Sequence, residues 1–341
     1  MTKLSTMFYG LEGALRAASR ARRQKKIWRW REGARATAPA ADMPDEAKTL
    51  CATRALCAES PLWDPRHASF CWTDIDGRRL YRVDEHRDSP FSRAMPGRVG
   101  CIAMYGPDGY IAAMEDSVVI LDADFAICRT ICTTGFAPLI ERFNDGKLDR
   151  SGAYFFVGSI CLPRDRKAAG IWRLSRDGML TKVVEGLTTA NGIAWSPDGG
   201  TMYFADSWHR TIWAADYDGS RGEISRQRAF FRLAPCEGRP DGAAVDRDGF
   251  YWCAAFGASR LLRIAPDGRL DRTFVMPMRC PTMASFGGAE CDVLVVTSFG
   301  DLDQVPDLAD DPFAGHVISL NVGAVGLPEA AMMPWRDHER E

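Results

Sequence analysis

An all-β, six-bladed β-propeller of four-stranded blades is the fold the sequence predicts, and three observations predict it. A unit of alternating strands separated by Pro, Asp and Gly turns recurs along the chain. Its starts, near residues 59, 101, 144, 191, 241 and 282, lie 41 to 50 residues apart, the period of a four-stranded blade. No long 3.6-residue apolar pattern, which helical repeats would show, interrupts it.

The fourth unit is the clearest. TTANGIAWSPDGGTMYFADSWHRTIWAADYDG at 188–219 parses as a short strand, a Pro-Asp-Gly turn, the alternating strand MYFADS, a polar loop and a third strand. The same parse fits 59–84, 101–124, the third unit through GIWRLSRDG at 170–178, 240–268, and the sixth unit with GHVISLNVG at 315–323. Fourth strands follow in units one to five, among them AICRTICT, GMLTKVVEG, GEISRQRAFF and GRLDRTFVMP. The sixth unit has none of its own. The strand-like ATRALC at 52–57 is expected to supply it, closing the ring and removing two exposed edges.

The propeller is thus expected over residues 49–328, between a basic extension, 1–48, and a tail, 329–341. Residues 1–42 hold ten Lys/Arg against three acids, which leaves 33 basic and 42 acidic residues for the rest. A surface-binding helix, a targeting peptide and a nucleic-acid tail all use such arms. The preferred reading is a disordered extension, or a start assigned too early with Met43 as the initiator, because nothing in the acidic remainder supports a nucleic-acid partner. At 46% hydrophobic and 26% charged, the chain has material for a sizeable core. No apolar run reaches the length of a membrane span. The eleven cysteines are odd in number, with no CxxC pair and no apolar signal stretch before them. They are expected to be reduced thiols, and the location cytoplasmic.

In a propeller the first strand of each blade is innermost, so the start positions Glu59, Cys101, Asn144, Asn191, Asp241 and Thr282 converge on one mouth of the central channel. The stretch RFNDGKLDRSG at 142–152 is odd here, because a turn signal at Asn144–Asp145–Gly146 closely precedes the hairpin turn at Asp149–Gly152. Taken singly, Asn-Gly and Asp-Gly are ordinary turn dipeptides and Glu59 a solvated strand end. Taken together, Glu59, Asn191 and Asp241 offer three oxygen donors from three blades, two of them anionic. That set suits a hard divalent cation, with water in its remaining positions. Asp206, Ser207 and His209, in the loop after the fourth unit's second strand, are further candidates for the same mouth. Trp63, Trp72, Trp172, Trp195, Trp213 and Trp252 fall on strand positions and are assigned to the core.

Five motifs follow in order at blade spacing: Glu59-Ser60-Pro61-x-Trp63, Arg142-Phe143-Asn144-Asp145-Gly146-Lys147, Asn191-Gly192-x-x-Trp195-Ser196, Pro240-Asp241-Gly242 and Phe286-Gly287-Gly288. Over roughly residues 50–328 the chain resembles the senescence marker protein, gluconolactonase and luciferin-regenerating enzyme-like family, the regucalcin-like sugar lactonases. The resemblance implies one divalent metal ion (calcium, zinc, magnesium, manganese or iron(II)) held by Glu59, Asn191 and Asp241. It implies substrate contacts from Arg142 and Asn144, and a part for Asp241 in proton transfer. The implied reaction is hydrolysis of a sugar lactone, an aldonolactone, to the aldonic acid. One position departs from the pattern: a substrate-contacting acid of some members falls at Leu162, which leaves substrate choice open.

The residue chemistry agrees with that reaction. Attack of water on a cyclic ester builds negative charge on the carbonyl oxygen, and a metal with an open position stabilises it. Arg142 and Asn144 suit the hydroxyls and oxygens of a sugar ring. Two alternatives stay open: an organophosphate or aryl ester hydrolase, since metal polarisation serves a phosphoryl oxygen equally, and a non-catalytic calcium-binding propeller.

Overall fold

The computed structural model describes residues 47–84, 89–137 and 139–334. The expected basic extension therefore lies almost wholly outside the described residues. The remainder forms six antiparallel blades. Blades one, three, four and five are four-stranded sheets in sequence order, blade two gains a fifth strand, and blade six is completed from the other end of the chain. The innermost strands are Ala58–Asp64, Val99–Tyr105, Glu141–Leu148, Ala190–Trp195, Arg239–Val245 and Pro281–Gly287, each packed against its neighbours around the axis. No helix among the described residues is long and apolar enough to cross a membrane.

Burial explains the composition of each layer. Inner strands such as AESPLWD and ANGIAW, and the second strand SFCWTD, are buried on both faces, so they are apolar or small almost throughout. The outermost strands EISRQRAFFR and ICRTICT face water along most of their length and are correspondingly polar. Between adjacent blades lie six hydrophobic clusters, one per interface. Phe156, Trp195 and Tyr217 meet between blades three and four with ring centroids 5.3–5.9 Å apart. Trp63, Trp72, Trp195 and Trp252 are buried, and Trp172 and Trp213 pack against the clusters with partial exposure. The tryptophans assigned to the core are there. All eleven cysteines are unpaired thiols.

The turn signals at Asn144–Asp145–Gly146, Asn191–Gly192 and Asp241–Gly242 are not turns. Each lies inside an innermost strand, at a β-bulge. Phe143 pairs with Ser159 and Gly146 with Val157; Asn191 pairs with Ala205 and Ala194 with Tyr203; Pro240 pairs with Ala255 and Ala243 with Cys253. One extra residue on the inner strand is accommodated each time. The same surplus recurs at Glu59/Leu62, Val99/Cys101 and Pro281/Ala284. A bulge bends its strand, raises the local twist and re-aims side chains. The glycines follow from crowding around the axis. A Cβ on Gly192, whose φ is 63°, would collide with the Tyr251 hydroxyl, and one on Gly146 would stand 2.5 Å from Cys101 Sγ. Within 142–152 only the second signal is a turn, closed by Gly152 N–H on the Asp149 carbonyl at 3.0 Å.

Ring closure differs from expectation in position. The outer strand of blade six is Lys48–Thr49, paired with Ile318–Leu320. The expected segment, 52–57, instead runs along the sheet end, where Ala55 N–H meets the Gly315 carbonyl at 2.8 Å and Cys57 bridges Phe299. Alanine-rich and interrupted by an Arg, 52–57 is a poorer strand than its pattern suggests. The tail expected from residue 329 also begins inside the fold. Val325, Gly326, Pro328 and Met332 bond the hairpins of blades five, six, three and two at the end of the channel opposite Glu59. Ala331–Met332 pairs in parallel with Met104 and Tyr105 of the second inner strand. Glu329 reaches Lys147 at 2.9 Å, with only 16% and 13% of their side chains exposed.

Glu329→Ala strands the Lys147 ammonium at a nearly closed position, so it is expected to cost about 2 kcal/mol and lower Tm by roughly 5 °C. The double substitution Lys147→Met with Glu329→Leu should recover most of that loss. Thermal melts of the three variants check it, and a Glu329→Ala protein melting like wild type would show that the ion pair contributes nothing.

Candidate active site

The bulges bring four of the expected residues together at the mouth opposite the C-terminal segment. Arg142 Nη1 donates to the Phe143 carbonyl at 2.7 Å and to Asn144 Oδ1 at 3.0 Å. Asn144 Nδ2 donates to Asn191 Oδ1 at 2.5 Å and to the Ala190 carbonyl at 3.3 Å. Asn191 Nδ2 in turn donates to Asp241 Oδ1 at 2.5 Å and to Ser207 Oγ at 2.8 Å. The result is an unbroken row, guanidinium to carboxamide to carboxamide to carboxylate, crossing blades three, four and five. Glu59 enters from blade one, with Oε2 accepting from Ser60 N–H at 3.0 Å. Glu59, Asn144 and Asn191 are buried, while Arg142 and Asp241 keep some exposure at the mouth.

The charges are held at a cost. Burial pushes the Glu59 carboxyl well above the usual carboxylate range, and Asp241 and Asp145 add to the shift. Asp241 is pushed well up by burial first and then by Asp145, with the Asn191 and Gly242 hydrogen bonds opposing. Desolvation holds the Arg142 guanidinium below its ordinary value, and Asp76 offsets this in part. Three mutually repelling carboxylates in one desolvated place are a surplus of negative charge that a divalent cation would relieve. Among the described residues no cluster of three or more His, Cys, Asp and Glu is disposed to hold a metal. The set therefore fits a cation only with asparagine among the donors: Glu59, Asp241 and the carboxamide of Asn191 are hard oxygen donors of the right kind.

Asp145 is the residue the sequence reading missed. Its Oδ1 accepts from Gly146 N–H at 2.7 Å and its Oδ2 from Ile193 N–H at 3.1 Å, so it staples the bulge of blade three to that of blade four. Its position inside an apparent turn hid it. The other start positions are structural: Thr282 Oγ1 donates to the Ala58 carbonyl at 2.6 Å, joining blade six to blade one, and Cys101 lies in the interblade core.

The three loop candidates separate. Asp206 is buried and accepts from Thr188, Thr189 and Trp208 N–H groups, holding the entry to blade four. His209 is bonded to it at 2.8 Å and faces outward. Ser207 alone touches the row, through Asn191. Trp208 beside it, also unforeseen, lies at the rim with Arg239 4.4 Å and Arg164 5.9 Å from its ring centroid. Leu162 is on the neighbouring loop of blade three, its N–H on the Ile140 carbonyl. Clefts also flank the C-terminal segment at the far mouth, lined by Lys147, Leu148, Glu329 and Ala330. Their single ion pair is internally satisfied, so the reactive groups, not cleft size, place the site.

Known proteins share this architecture. The chain is 32% identical over 289 residues to the 6-deoxy-6-sulfogluconolactonase of Pseudomonas putida, covering 84% of this chain and 98% of that one. It is likewise 32% identical over 289 residues to the L-arabinolactonase of Azospirillum brasilense, covering 84% and 95%. The fold matches a crystal structure of a calcium-binding protein, regucalcin, from Agrobacterium tumefaciens with a TM-score of 0.80 at 23% identity, over 87% of this chain and 100% of that one. The profile of the SMP-30/gluconolactonase/LRE-like region matches residues 57–300, which span all four blades that build the mouth, and the chain belongs to that family.

Proposed function

We propose that this mouth hydrolyses a sugar lactone, an aldonolactone, to its aldonic acid. The observation that carries the reading is the hydrogen-bonded row Arg142–Asn144–Asn191–Asp241 facing Glu59. The two lactonase relatives, matched over nearly their whole length, support the substrate class. A divalent cation held by Glu59, Asn191 and Asp241 would supply Lewis-acid stabilisation of the charge that develops on the lactone carbonyl oxygen.

The chain's own groups do the rest. Asp241, ionised once a cation displaces the proton that burial holds there, would be the acceptor for the proton of the attacking water. Arg142 sets a permanent cation beside the place where the carbonyl oxygen becomes anionic. Asn144 has both ends committed, its oxygen to Arg142 and its nitrogen to Asn191 and Ala190. Its remaining capacity is one acceptor lone pair for a sugar hydroxyl, so its larger part is to orient Arg142 and Asn191. That alters the division expected from sequence, in which Arg142 and Asn144 stand apart from the metal donors.

The direct experiment is acid release from pentono- and hexonolactones, corrected for spontaneous hydrolysis, in chelator and with each of calcium, zinc, magnesium, manganese and iron(II). Metal-stimulated turnover is expected. Metal binding without turnover of any lactone would point to the non-catalytic reading, and turnover of phosphotriesters alone to the esterase reading.

Arg142→Ala should lower kcat by about 2–4 kcal/mol worth of transition-state stabilisation, roughly 30- to 1000-fold, and the loss should persist at saturating metal. Asn144→Ala should in addition weaken metal binding, because Asn191 loses the partner that orients it. Titration calorimetry beside steady-state kinetics separates the two. Wild-type metal affinity in Asn144→Ala would remove its positioning role.

Linkage makes a further prediction. With folded pKa values above the unfolded ones, Glu59, Asp145 and Asp241 hold protons that the unfolded chain has released. Their contribution to metal-free stability is fully present below the ordinary carboxylate pKa and falls as pH rises through the raised values. Added divalent metal should displace those protons and remove the decline. Melting temperatures across pH, in chelator and in metal, test this; curves that rise with pH in chelator would contradict the charge surplus.

A further inference from the structure

We propose that Asp76, gripped by Arg98 and Gln304 at the same mouth, is a positioning residue that holds the Arg142 guanidinium in place for the lactone carbonyl. The inference rests on the lactonase reading and adds a residue to it. Asp76 lies in the loop between the second and third strands of blade one, which leaves the sheet where Asp74 pairs with Ala58, beside Glu59. Its Oδ1 accepts from Arg98 Nε at 2.7 Å and its Oδ2 from Gln304 Nε2 at 3.1 Å. Arg98 stands just before the inner strand of blade two, and Gln304 in the loop after the second strand of blade six. Arg98 Nη1 also donates to Glu115 Oε1 at 2.8 Å, and the Glu115 carbonyl accepts from Phe143 N–H at 2.9 Å. A second row, Gln304–Asp76–Arg98–Glu115, therefore passes through blades six, one and two. It ends on the backbone beside Arg142, where the first row begins.

A guanidinium at this place needs such a counter-charge. Desolvation works against the charge on Arg142 first; Asp76 is the leading charge in its favour, and Arg98 and Arg164 oppose it. Arg142 Nη1 donates to the Phe143 carbonyl and to Asn144, neutral acceptors that orient the group without balancing it. A divalent cation held by Glu59, Asn191 and Asp241 would add positive charge to the mouth and engage the two carboxylates that otherwise offset it. Asp76 stands outside that set. Only 16% of its side chain is exposed, against 33% for Arg98 and 40% for Glu115, so water and salt screen its field less than theirs. Two donors fix its carboxylate, and an anion bonded elsewhere attracts Arg142 through space without occupying the donors that a lactone oxygen needs.

The test is a double-mutant cycle on hexonolactone hydrolysis, using the full-length protein with the most activating metal. Asp76→Asn, nearly the same shape, should lower kcat tenfold or more with KM changed less than threefold, and Asp76→Glu should recover part of the loss. In the Arg142→Ala background Asp76→Asn should cost less than twofold, because a residue that acts through Arg142 has nothing left to act on. Equal losses in both backgrounds, or wild-type kinetics in Asp76→Asn, overturn the proposal and leave Asp76 a structural tie between blades. If Asp76→Asn does not fold, Gln304→Ala, at an exposed loop position, carries the same cycle with an expected loss of about threefold. The Arg142 Nε–H signal in nitrogen–proton NMR spectra, identified by its disappearance in Arg142→Ala, reads the contact without turnover. In saturating calcium it should be sharp in wild type and broadened by exchange with water in Asp76→Asn. If no lactone turns over yet the signal responds in this way, the lactonase reading falls and the positioning of Arg142 stands. If lactones turn over and the signal is the same in both proteins, only the present proposal falls.

Discussion

One extra residue in each innermost strand is the constraint on which the rest of this molecule depends. Six strands crowd around a narrow axis, and a regular ladder would send alternate side chains into the channel and into the blade with no room for a polar group at a chosen depth. The bulge breaks that alternation at the same height in every blade. Where the inserted position carries Asn or Asp it contributes to the mouth. Where it carries Thr282 it joins neighbouring strands instead. The glycine after the polar residue is required by the approach of the adjacent strand, which at Gly192 brings the Asp241 carbonyl to 3.0 Å from where a Cβ would sit. Scaffold and site are therefore one device.

Electrostatics at the mouth are layered. Three carboxylates, Glu59, Asp145 and Asp241, sit together, each with its proton affinity raised first by burial; Asp241 and Asp145 raise Glu59 further, and Asp145 raises Asp241. Across them runs a row of carboxamides, neutral groups that can donate to an anion at one end and accept from a cation at the other without adding charge to a desolvated place. At the rim stand the arginines. This ordering lets Asn191 serve either a carboxylate or a cation.

The two chain ends finish the structure from opposite sides. Lys48–Thr49 supplies the last outer strand and closes the ring, so blade six depends on both termini of the fold. The segment from Val325 to Met332 crosses the far mouth, bonding hairpins of four blades and seating Glu329 beside Lys147. That segment ties blades three and five, which carry Arg142 and Asp241, together at the end opposite the reactive groups.

By itself the sequence determined the number of blades, their four-stranded make-up and the convergence of Glu59, Asn144, Asn191 and Asp241, while Arg142 came from the family resemblance. Strand alternation and turn spacing are local patterns, and a ring of equal units turns equal sequence position into equal height. Only the tertiary structure decided that the Asn-Gly and Asp-Gly signals are bulges, because a turn and a bulge need the same residue types and differ only in what the neighbouring strand does. It also decided the closing strand, since short segments of similar propensity compete for one sheet edge and pairing with Ile318–Leu320 chooses among them. Asp145, Trp208, Arg164 and Arg239 were invisible for a related reason. Asn144 and Asn191 stand 47 residues apart, and Asn191 and Asp241 50 apart; contacts at that separation are made by the closing of blades around an axis, and no window of local sequence contains both partners.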